Sequence, residues 1–232
     1  MIDGDILPDE YEFRKNINIK RSCRRTLNKI YDISRCNEWE LFVTLTFNPS
    51  VVDSFNYDDV TKKLQNWLIV LRRKCKNLKY IVVPELHKSG RFHFHGLFAN
   101  CNGLKLVDSG KRDKKGRTIY NIDNYNLGWT TATKITNTDA ASKYIAKYVT
   151  KVLFKNTMHK RRYWASRNCN LPQVEEKYCN PELVIKNLDN SGQLLSKQVK
   201  EYTYTDSQGI EHTNQIVIYE LDSMLTQNNK EN

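Results

Sequence analysis

Hydrophobic and polar positions follow two regular periods along most of the first 155 residues. We predict strands at short runs rich in β-branched and aromatic side chains, at residues 41–47, 80–83, 92–98 and 130–135. We predict helices where apolar residues recur about every 3.6 positions, at residues 14–36, 58–76 and 138–155. This order of elements predicts an α+β fold, in which helices back a central antiparallel sheet.

The whole chain is predicted to divide into three parts. Residues 1–38 form a basic N-terminal helical segment, residues 39–155 form the central domain, and residues 156–232 form a C-terminal extension. Within the extension, two alternating segments flank a turn at residues 206–209 and predict a β-hairpin. We expect the polar tail, residues 226–232, to be frayed.

The predicted strand at residues 92–98 contains two histidines, His93 and His95, separated by a phenylalanine. Side chains at positions i and i+2 of a strand point to the same face, so both imidazoles project together and Phe92 and Phe94 face the other way. Neutral imidazole is the commonest protein ligand for transition metals. The pair therefore supplies half of a candidate site for a divalent metal, although two polar residues on a solvated strand face would give the same pattern.

A candidate third ligand lies just upstream. Glu85 and His87 share one face of the preceding strand, and Ser89-Gly90 predicts a turn that folds this strand back beside the histidines. Glu85, or His87 as the alternative third ligand, would then lie near His93 and His95. Mg²⁺ and Mn²⁺ accept oxygen ligands and keep waters that a phosphate can replace. No Cys-x-x-Cys pair supports a structural zinc site.

The helix predicted at residues 138–155 has an unusual polar face. At about 100° per residue, this face carries Tyr144, Lys147, Tyr148, Lys151 and Lys155. The opposite, apolar face carries Ile145, Ala146, Val149, Val152 and Leu153. A tyrosine hydroxyl that lies among lysines and faces a metal can attack a phosphodiester. The alternative is an ordinary amphipathic helix, capped by Thr138 or Asp139, whose lysines are simply solvated.

The net charge of the chain predicts a polyanionic partner. The 232 residues carry a formal net charge of +11, and the basic residues are clustered. We predict DNA contacts from the clusters at Arg21, Arg24, Arg25, Lys111, Arg112, Lys114, Lys115 and Lys155. Charge alone does not separate DNA from RNA or an acidic membrane. Three aromatic residues, Tyr120, Tyr125 and Trp129, would either stack on unpaired bases or pack the strands there.

Three motifs, taken together, resemble the HUH endonuclease superfamily. They are the strand at residues 42–47, the histidine–hydrophobe–histidine motif at 93–95, and the two-tyrosine motif at 144–148, which is preceded by a strand beginning at Gly128-Trp129. Within this superfamily the chain most resembles the rolling-circle replication initiators of small single-stranded DNA phages, which are microvirus-like, and of related plasmids. The resemblance covers about residues 39–155, which would be the HUH nuclease domain, with a ferredoxin-like or RRM-like topology.

The resemblance implies a nickase and ligase for single-stranded DNA at a replication origin. In this family a bound Mg²⁺ or Mn²⁺ polarises the scissile phosphate, and one tyrosine attacks it to leave a 5′-phosphotyrosyl link and a free 3′-hydroxyl. Tyr144 occupies the position of the first nucleophile and Tyr148 that of the second, which ends a replication round. Lys147 or Lys151 would orient the phosphate. A host DNA polymerase and helicase are the expected partners.

Two other classes fit the same residues less fully. A transposase or relaxase of the HUH type would need only one tyrosine or a different motif order, and a non-catalytic nucleic-acid-binding module would need none. No apolar run approaches the ~20 residues that span a bilayer, and the N-terminus lacks a signal-peptide pattern. With six scattered cysteines as reduced thiols, we expect a cytoplasmic protein of a bacterial host cell with no membrane partner.

Overall fold

The computed structural model describes residues 8–157 and 159–221, apart from the side chains of residues 8–11, 151 and 152. The chain divides into two compact units, at residues 1–173 and 174–232. The predicted tail at residues 226–232 lies outside the described residues. Among the helices that are described, none has both the length and the apolar composition needed to cross a membrane.

The first unit contains four helices and seven strands among its described residues. The helices are α1 (Pro8–Arg35), α2 (Tyr57–Lys74), α3 (Thr138–Ile145) and α4 (Lys151–Asn156). The strands are β1 (Leu41–Phe47), β2 (Lys79–Leu86), β3 (Phe92–Ala99), β4 (Leu106–Arg112), β5 (Thr118–Ile122), β6 (Gly128–Lys134) and β7 (Trp164–Ala165). A turn of 3₁₀ helix, Ala146–Tyr148, follows α3.

All seven strands belong to one antiparallel sheet, in the order β4-β5-β6-β1-β3-β2-β7. The α+β prediction is therefore confirmed. The predicted pairing of the two strands at 80–83 and 92–98 is present as β2 and β3. Strand β1 pairs with the other edge of β3. Strands β4 and β5 were not predicted. They form a hairpin over residues 106–122, and its turn carries part of the basic cluster at residues 111–117.

Strand alternation sorts the core into two clusters on opposite faces of the sheet. On one face, Val43, Leu45 and Phe94 pack with the apolar stripe of α2. On the other face, Leu97 packs with buried residues of α1 and with Ile145 of α3. In β3 this alternation places Phe92, Phe94 and Phe98 towards α2, whereas His93 and His95 share the face of Leu97.

The C-terminal end of α1 is fixed to the start of α3. Arg35 forms an ion pair with Asp139, and the Ser142 hydroxyl donates a hydrogen bond of 3.0 Å to the carbonyl of Ser34. The Trp39 indole N–H donates to the same carbonyl at 2.8 Å. Because Ile30 and Ile33 are also buried in the core, α1 is an integral part of the first unit.

The second unit contains α5 (Pro181–Asp189) and a hairpin of β8 (Leu194–Thr205) and β9 (Glu211–Leu221). The hairpin turns at residues 206–209, where the sequence predicted it, and both strands extend beyond the predicted segments at residues 200–205 and 215–221. The two units differ sharply in charge. Residues 1–173 contain 32 Lys and Arg against 16 Asp and Glu, whereas residues 174–232 contain 5 against 10. All of the excess positive charge therefore belongs to the first unit.

Gly128 begins β6 at a point where two backbones approach closely. A Cβ atom there would overlap the carbonyl oxygen of Thr46 and lie 2.6 Å from the amide nitrogen of Asn48. Both contacts are backbone atoms of a paired strand or its end, so they cannot move aside as a flexible side chain would. Gly116 offers a contrast, because a Cβ there would meet nothing within 4 Å, although φ is +76°.

We expect Gly128→Ala to destabilise the first unit by about 3 kcal/mol through overpacking. The matched control, Gly116→Ala, should cost only about 1 kcal/mol of left-handed backbone strain. Tryptophan fluorescence during urea unfolding measures this, because all four tryptophans lie in the first unit. Equal losses in the two variants would contradict the close approach at Gly128.

Candidate active site

The site is built on the face of the sheet that carries the two histidines. The central strand β3 places His93 and His95 on this face, and its neighbours add Thr44 from β1 and Glu85 from β2. Glu85 pairs directly with His93 and Thr44 pairs directly with His95 in the strand register. Directly paired residues of antiparallel strands have their side chains about 5 Å apart on the same face. Four polar groups therefore converge from three strands.

His95 is held at both ring nitrogens. Its Nε2 lies 2.8 Å from Oε2 of Glu85, and its Nδ1 lies 3.1 Å from the hydroxyl oxygen of Thr44. The side chain is buried, with only 6% of its surface exposed. The contact of Nδ1 with Thr44 fixes the imidazole as outer partners orient histidine ligands in metal sites, and a metal ion bound at Nε2 would replace the direct contact with Glu85. Sequence reasoning assigned no role to Thr44, although it stands in the motif at residues 42–47.

His93 is more open than His95 and stacks on His87, with ring centroids 5.3 Å apart. Burial lowers the pKa of both His93 and His95 below the ordinary value, and His87 adds to this effect at His93, whereas Glu85 opposes it at both. Both imidazoles are therefore neutral at neutral pH. A neutral imidazole has a lone pair available for a metal ion.

The donor chemistry of this face fits a divalent cation. Two imidazoles and one carboxylate, from His93, His95 and Glu85, form a mixed nitrogen and oxygen set, and His87 lies beside His93 as a further donor. Across residues 8–157 and 159–221, no three His, Cys, Asp or Glu side chains are gathered closely enough to hold a metal ion. The fit therefore rests on the donor types and their strand register.

The predicted continuous helix over residues 138–155 is wrong. Helix α3 ends at Ile145, the 3₁₀ turn ends at Tyr148, and Val149 leaves the helical region with ψ of 89°. The hydroxyl of Thr150 then accepts a hydrogen bond of 3.2 Å from the amide of Leu153 and caps a new helix, α4. A threonine hydroxyl competes with helical hydrogen bonds in this way, and a β-branched valine before it weakens the helix further.

The cap at the start of α3 also differs from the prediction. The side chain of Asn137 accepts a hydrogen bond of 2.8 Å from the amide of Ala140 and is the N-cap, rather than Thr138 or Asp139. Asp139 instead pairs with Arg35 of α1. The prediction failed because Asn137 and Asp139 are equally good capping residues, and only the tertiary contact with α1 distinguishes them.

The 3₁₀ turn at Ala146–Tyr148 brings Tyr148 onto the face of the sheet that carries the two histidines. Its ring stacks on His95 with centroids 3.6 Å apart and planes 14° from parallel. The ring of Tyr144 meets Tyr148 edge to face at 5.5 Å and contacts Phe42 at 5.4 Å. Phe42 also stacks on His95, at 5.9 Å. The structure thus brings both tyrosines and the histidine–glutamate group into one cluster.

The two tyrosines differ in their surroundings. Tyr148 is half-buried, and its pKa is raised above the ordinary value by burial first, then by contact with Tyr144 and by the charge on Glu85. Tyr144 is 46% exposed, and the ammonium of Lys147 lies 5.4 Å from the centre of its ring. Lys155 is exposed on α4. The side chain of Lys151, a predicted catalytic residue, lies outside the described residues.

The other predicted DNA contacts fall on two separate surfaces. Arg21, Arg24 and Arg25 line a groove of about 780 Å³ beside α1, which we call the basic groove. A second set, Lys111, Arg112, Lys114 and Lys115, is exposed on the β4–β5 hairpin. Of these, Arg112 is already paired with Asp108 at 3.1 Å.

Only one of the three predicted stacking aromatics is open to solvent. Tyr125 is buried against Trp67 with ring centroids 5.1 Å apart, and Tyr120 packs against the core. Trp129 is 61% exposed, and it pairs with Thr46 on the face of β6 and β1 that carries Thr44. At about 4.8 Å between strands and 3.4 Å per residue, it lies about 12 Å from His95 along the sheet.

Comparison with known proteins agrees with this arrangement. Residues 40–153 match the model of the family described as Replication-associated protein ORF2. This is a family of rolling-circle replication initiators, and the chain belongs to it over the matched segment. The segment includes the three motifs and every strand that contributes to the site, and it excludes α1 and the second unit. Searches of curated proteins and of solved structures found no match.

The resemblance inferred from the three motifs is therefore confirmed as to family. Membership in this family associates the protein with DNA replication, and with the rolling-circle mode in particular. It also indicates binding to DNA at an origin.

Proposed function

We propose that this protein nicks single-stranded origin DNA through a tyrosine and later rejoins the strands. The observation that carries the proposal is the stacking of Tyr148 on His95 at 3.6 Å, with Tyr144 in contact with Tyr148. Two hydroxyl nucleophiles therefore lie beside the candidate ligands of one metal. In the proposal, both hydroxyls act in turn as nucleophiles at one phosphate.

In the proposed cleavage, a tyrosine oxygen attacks the scissile phosphorus and the bond from phosphorus to the 3′-oxygen breaks. The tyrosine loses its proton, the leaving 3′-oxygen gains one, and the 5′ end stays linked to the enzyme as a phosphotyrosine. A host DNA polymerase could extend the free 3′-hydroxyl, with a host helicase opening the duplex ahead. In rejoining, the 3′-hydroxyl of another strand attacks the phosphotyrosine, which restores the phosphodiester and the tyrosine.

Each residue of the cluster has a role that its surroundings support. Glu85, His93 and His95, with His87 as an alternative, would hold a Mg²⁺ or Mn²⁺ ion, which supplies charge neutralisation at the phosphate. Thr44 fixes the ring of His95. Lys147 stands beside Tyr144 and would orient the phosphate or stabilise its charge in the transition state. Lys151 is the second cation proposed for this role.

The surroundings favour Tyr144 as the first nucleophile. It is the more exposed of the two, so a DNA strand can reach it, and it has a lysine beside it. Tyr148 lies against His95, and its pKa, which is raised first by burial, disfavours the phenolate. Tyr148 would then serve the second cleavage. Use of Tyr144 alone would instead indicate a single-tyrosine transposase or relaxase.

The tyrosine roles can be tested by trapping the covalent adduct on a denaturing gel. Protein is incubated with Mn²⁺ and labelled single-stranded DNA from its own replicon, and Tyr144→Phe, Tyr148→Phe and the double variant are compared. We expect an adduct from wild type and a reduced adduct from each single variant, with none from the double variant. The control is Tyr178→Phe, which alters a fully exposed tyrosine of the second unit and should leave the adduct unchanged.

A loss of all adduct in one single variant would assign one nucleophile and favour the single-tyrosine classes. Tight binding of DNA without any adduct in the wild type would instead favour a non-catalytic nucleic-acid-binding module.

The ligand roles can be tested by His93→Ala and His95→Ala. Each should abolish Mn²⁺-dependent cleavage, with a loss of about a thousandfold or more, while DNA affinity changes little. Calorimetric titration with Mn²⁺ should show the same loss of metal binding. The control, His212→Ala, removes a histidine that pairs with Asp206 in the second unit. An equal fall in DNA binding and cleavage, or unfolding of both variants, would argue against a ligand role.

Trp129 gives a separate test for a single-stranded substrate. Because it is an open aromatic on the face of the site, we expect Trp129→Ala to weaken single-stranded DNA binding by about 1–3 kcal/mol, whereas Trp129→Phe keeps most of the affinity. Fluorescence anisotropy with a labelled oligonucleotide measures the change. Phe55→Ala, which removes another exposed aromatic, is the control and should have no effect. A similar loss in Trp129→Ala and in Phe55→Ala would rule out specific stacking.

A further inference from the structure

The basic groove is a surface feature of strong positive charge. It runs along α1 and is closed on the other side by Phe154 of α4 and by Arg162. Six Lys or Arg residues line it, namely Arg14, Lys15, Arg21, Arg24, Arg25 and Arg162, and no acidic residue among those described does. Lys15 is paired with Glu12 at 3.4 Å, and the relevant positive charges are those of Arg21, Arg24, Arg25 and Arg162.

Three of these arginines crowd one face of α1. Arg21, Arg24 and Arg25 stand at positions i, i+3 and i+4, where side chains of a helix are neighbours. Like charges at this spacing destabilise a helix by a few tenths of a kcal/mol per pair. A bound polyanion would relieve this repulsion. The family match begins at residue 40, so this helix lies outside the segment that defines the family.

Arg162 is held in a fixed position on the opposite wall. Its Nε and Nη2 donate hydrogen bonds of 3.0 and 2.7 Å to the hydroxyl and the carbonyl oxygen of Thr157. Its guanidinium lies 3.9 Å above the ring of Phe154. A guanidinium fixed in this way loses little rotamer freedom when it binds a phosphate, because its fork is already oriented.

The groove is suited to a DNA backbone rather than to unpaired bases. Phe154, the only phenyl, phenol or indole ring among the described residues that line it, is 1% exposed and covered by Arg162, so no base can stack on it. From Arg14 to Arg25, the wall extends for about 16 Å at 1.5 Å per residue. This corresponds to about five nucleotides of one strand at a rise of 3.4 Å. The open aromatic, Trp129, lies on β6 of the sheet instead.

We propose that the basic groove binds the sugar–phosphate backbone of duplex DNA that flanks the cleaved single strand. The proposal rests on the proposed nicking function and adds a second DNA site to it. The two sites are mechanically connected, because the end of α1 is joined to the start of α3 by the Arg35–Asp139 ion pair and the Ser142 hydrogen bond. A duplex held along α1 would therefore be fixed relative to the tyrosines at the end of α3.

The test compares two labelled DNA probes, a short single strand and the same strand joined to a hairpin duplex. The variant replaces Arg21, Arg24 and Arg25 with Ala. We expect it to lose affinity for the duplex-bearing probe by about tenfold or more, and the slope of log affinity against log salt to fall by about three, one for each phosphate contact. The single strand alone should lose much less. Replacement of the same three residues with Lys should restore most of the affinity, because charge is retained.

The matched control replaces Lys62, Arg73 and Lys76 with Ala. These exposed residues lie on α2 or just after it, and their removal lowers the net charge by the same amount. The control should change neither probe by more than about twofold. Equal losses for both probes, or losses in the control that match those in the groove variant, would overturn the proposal. Tryptophan fluorescence checks folding, and the single substitution Arg24→Glu serves if the triple variant unfolds.

Failure of this proposal can be distinguished from failure of the proposed function. Adduct formation on the short single strand reports nicking without any duplex. If the wild type forms the adduct and the groove variant binds both probes normally, the groove proposal alone fails. If the wild type forms no adduct but the groove variant selectively loses the duplex-bearing probe, the nicking function fails while the groove is still a duplex-binding site.

Discussion

The register of β3 between β1 and β2 is the constraint on which the whole site depends. Backbone hydrogen bonds on both edges of β3 place His93 opposite Glu85 and His95 opposite Thr44. A slip of one residue would turn both histidines into the core beneath α2 and would turn Phe94 onto the face that now carries the histidines. The apolar packing of Phe94 and Phe98 therefore selects the register, and the polar cluster on the other face is its consequence.

A second constraint lies in the segment that follows α3, and it positions the two tyrosines. The tightened turn after Ile145 and the break at Val149 allow Tyr148 to lie flat on His95, while Tyr144 is left on the surface. Ile145 and Val149 are both buried on the sheet, and they anchor the turn on either side of Tyr148. The two tyrosines are thus neighbours in space but differ in environment.

The parts of the site that follow from local sequence could be predicted, and the parts that depend on tertiary contacts could not. Strand parity and the Ser89-Gly90 turn were sufficient to bring Glu85 to the histidines. The break at Val149 was missed because the apolar spacing continues through it, and only the capping by Thr150 shows the interruption. Thr44 was missed because its role depends on which strand pairs with β3. Tyr125 was equally ambiguous until its packing on Trp67 was known.

The two outer strands of the sheet determine how readily two copies of this protein could pair strand to strand. At one edge β7 contains two residues, and at the other β4 has an irregular register between Asp108 and Lys111, with exposed charges along it. Short, kinked or charged edge strands are poor templates for pairing with a strand from another molecule. Two copies of this protein therefore have little opportunity to join their sheets edge to edge, which disfavours aggregation through strand pairing.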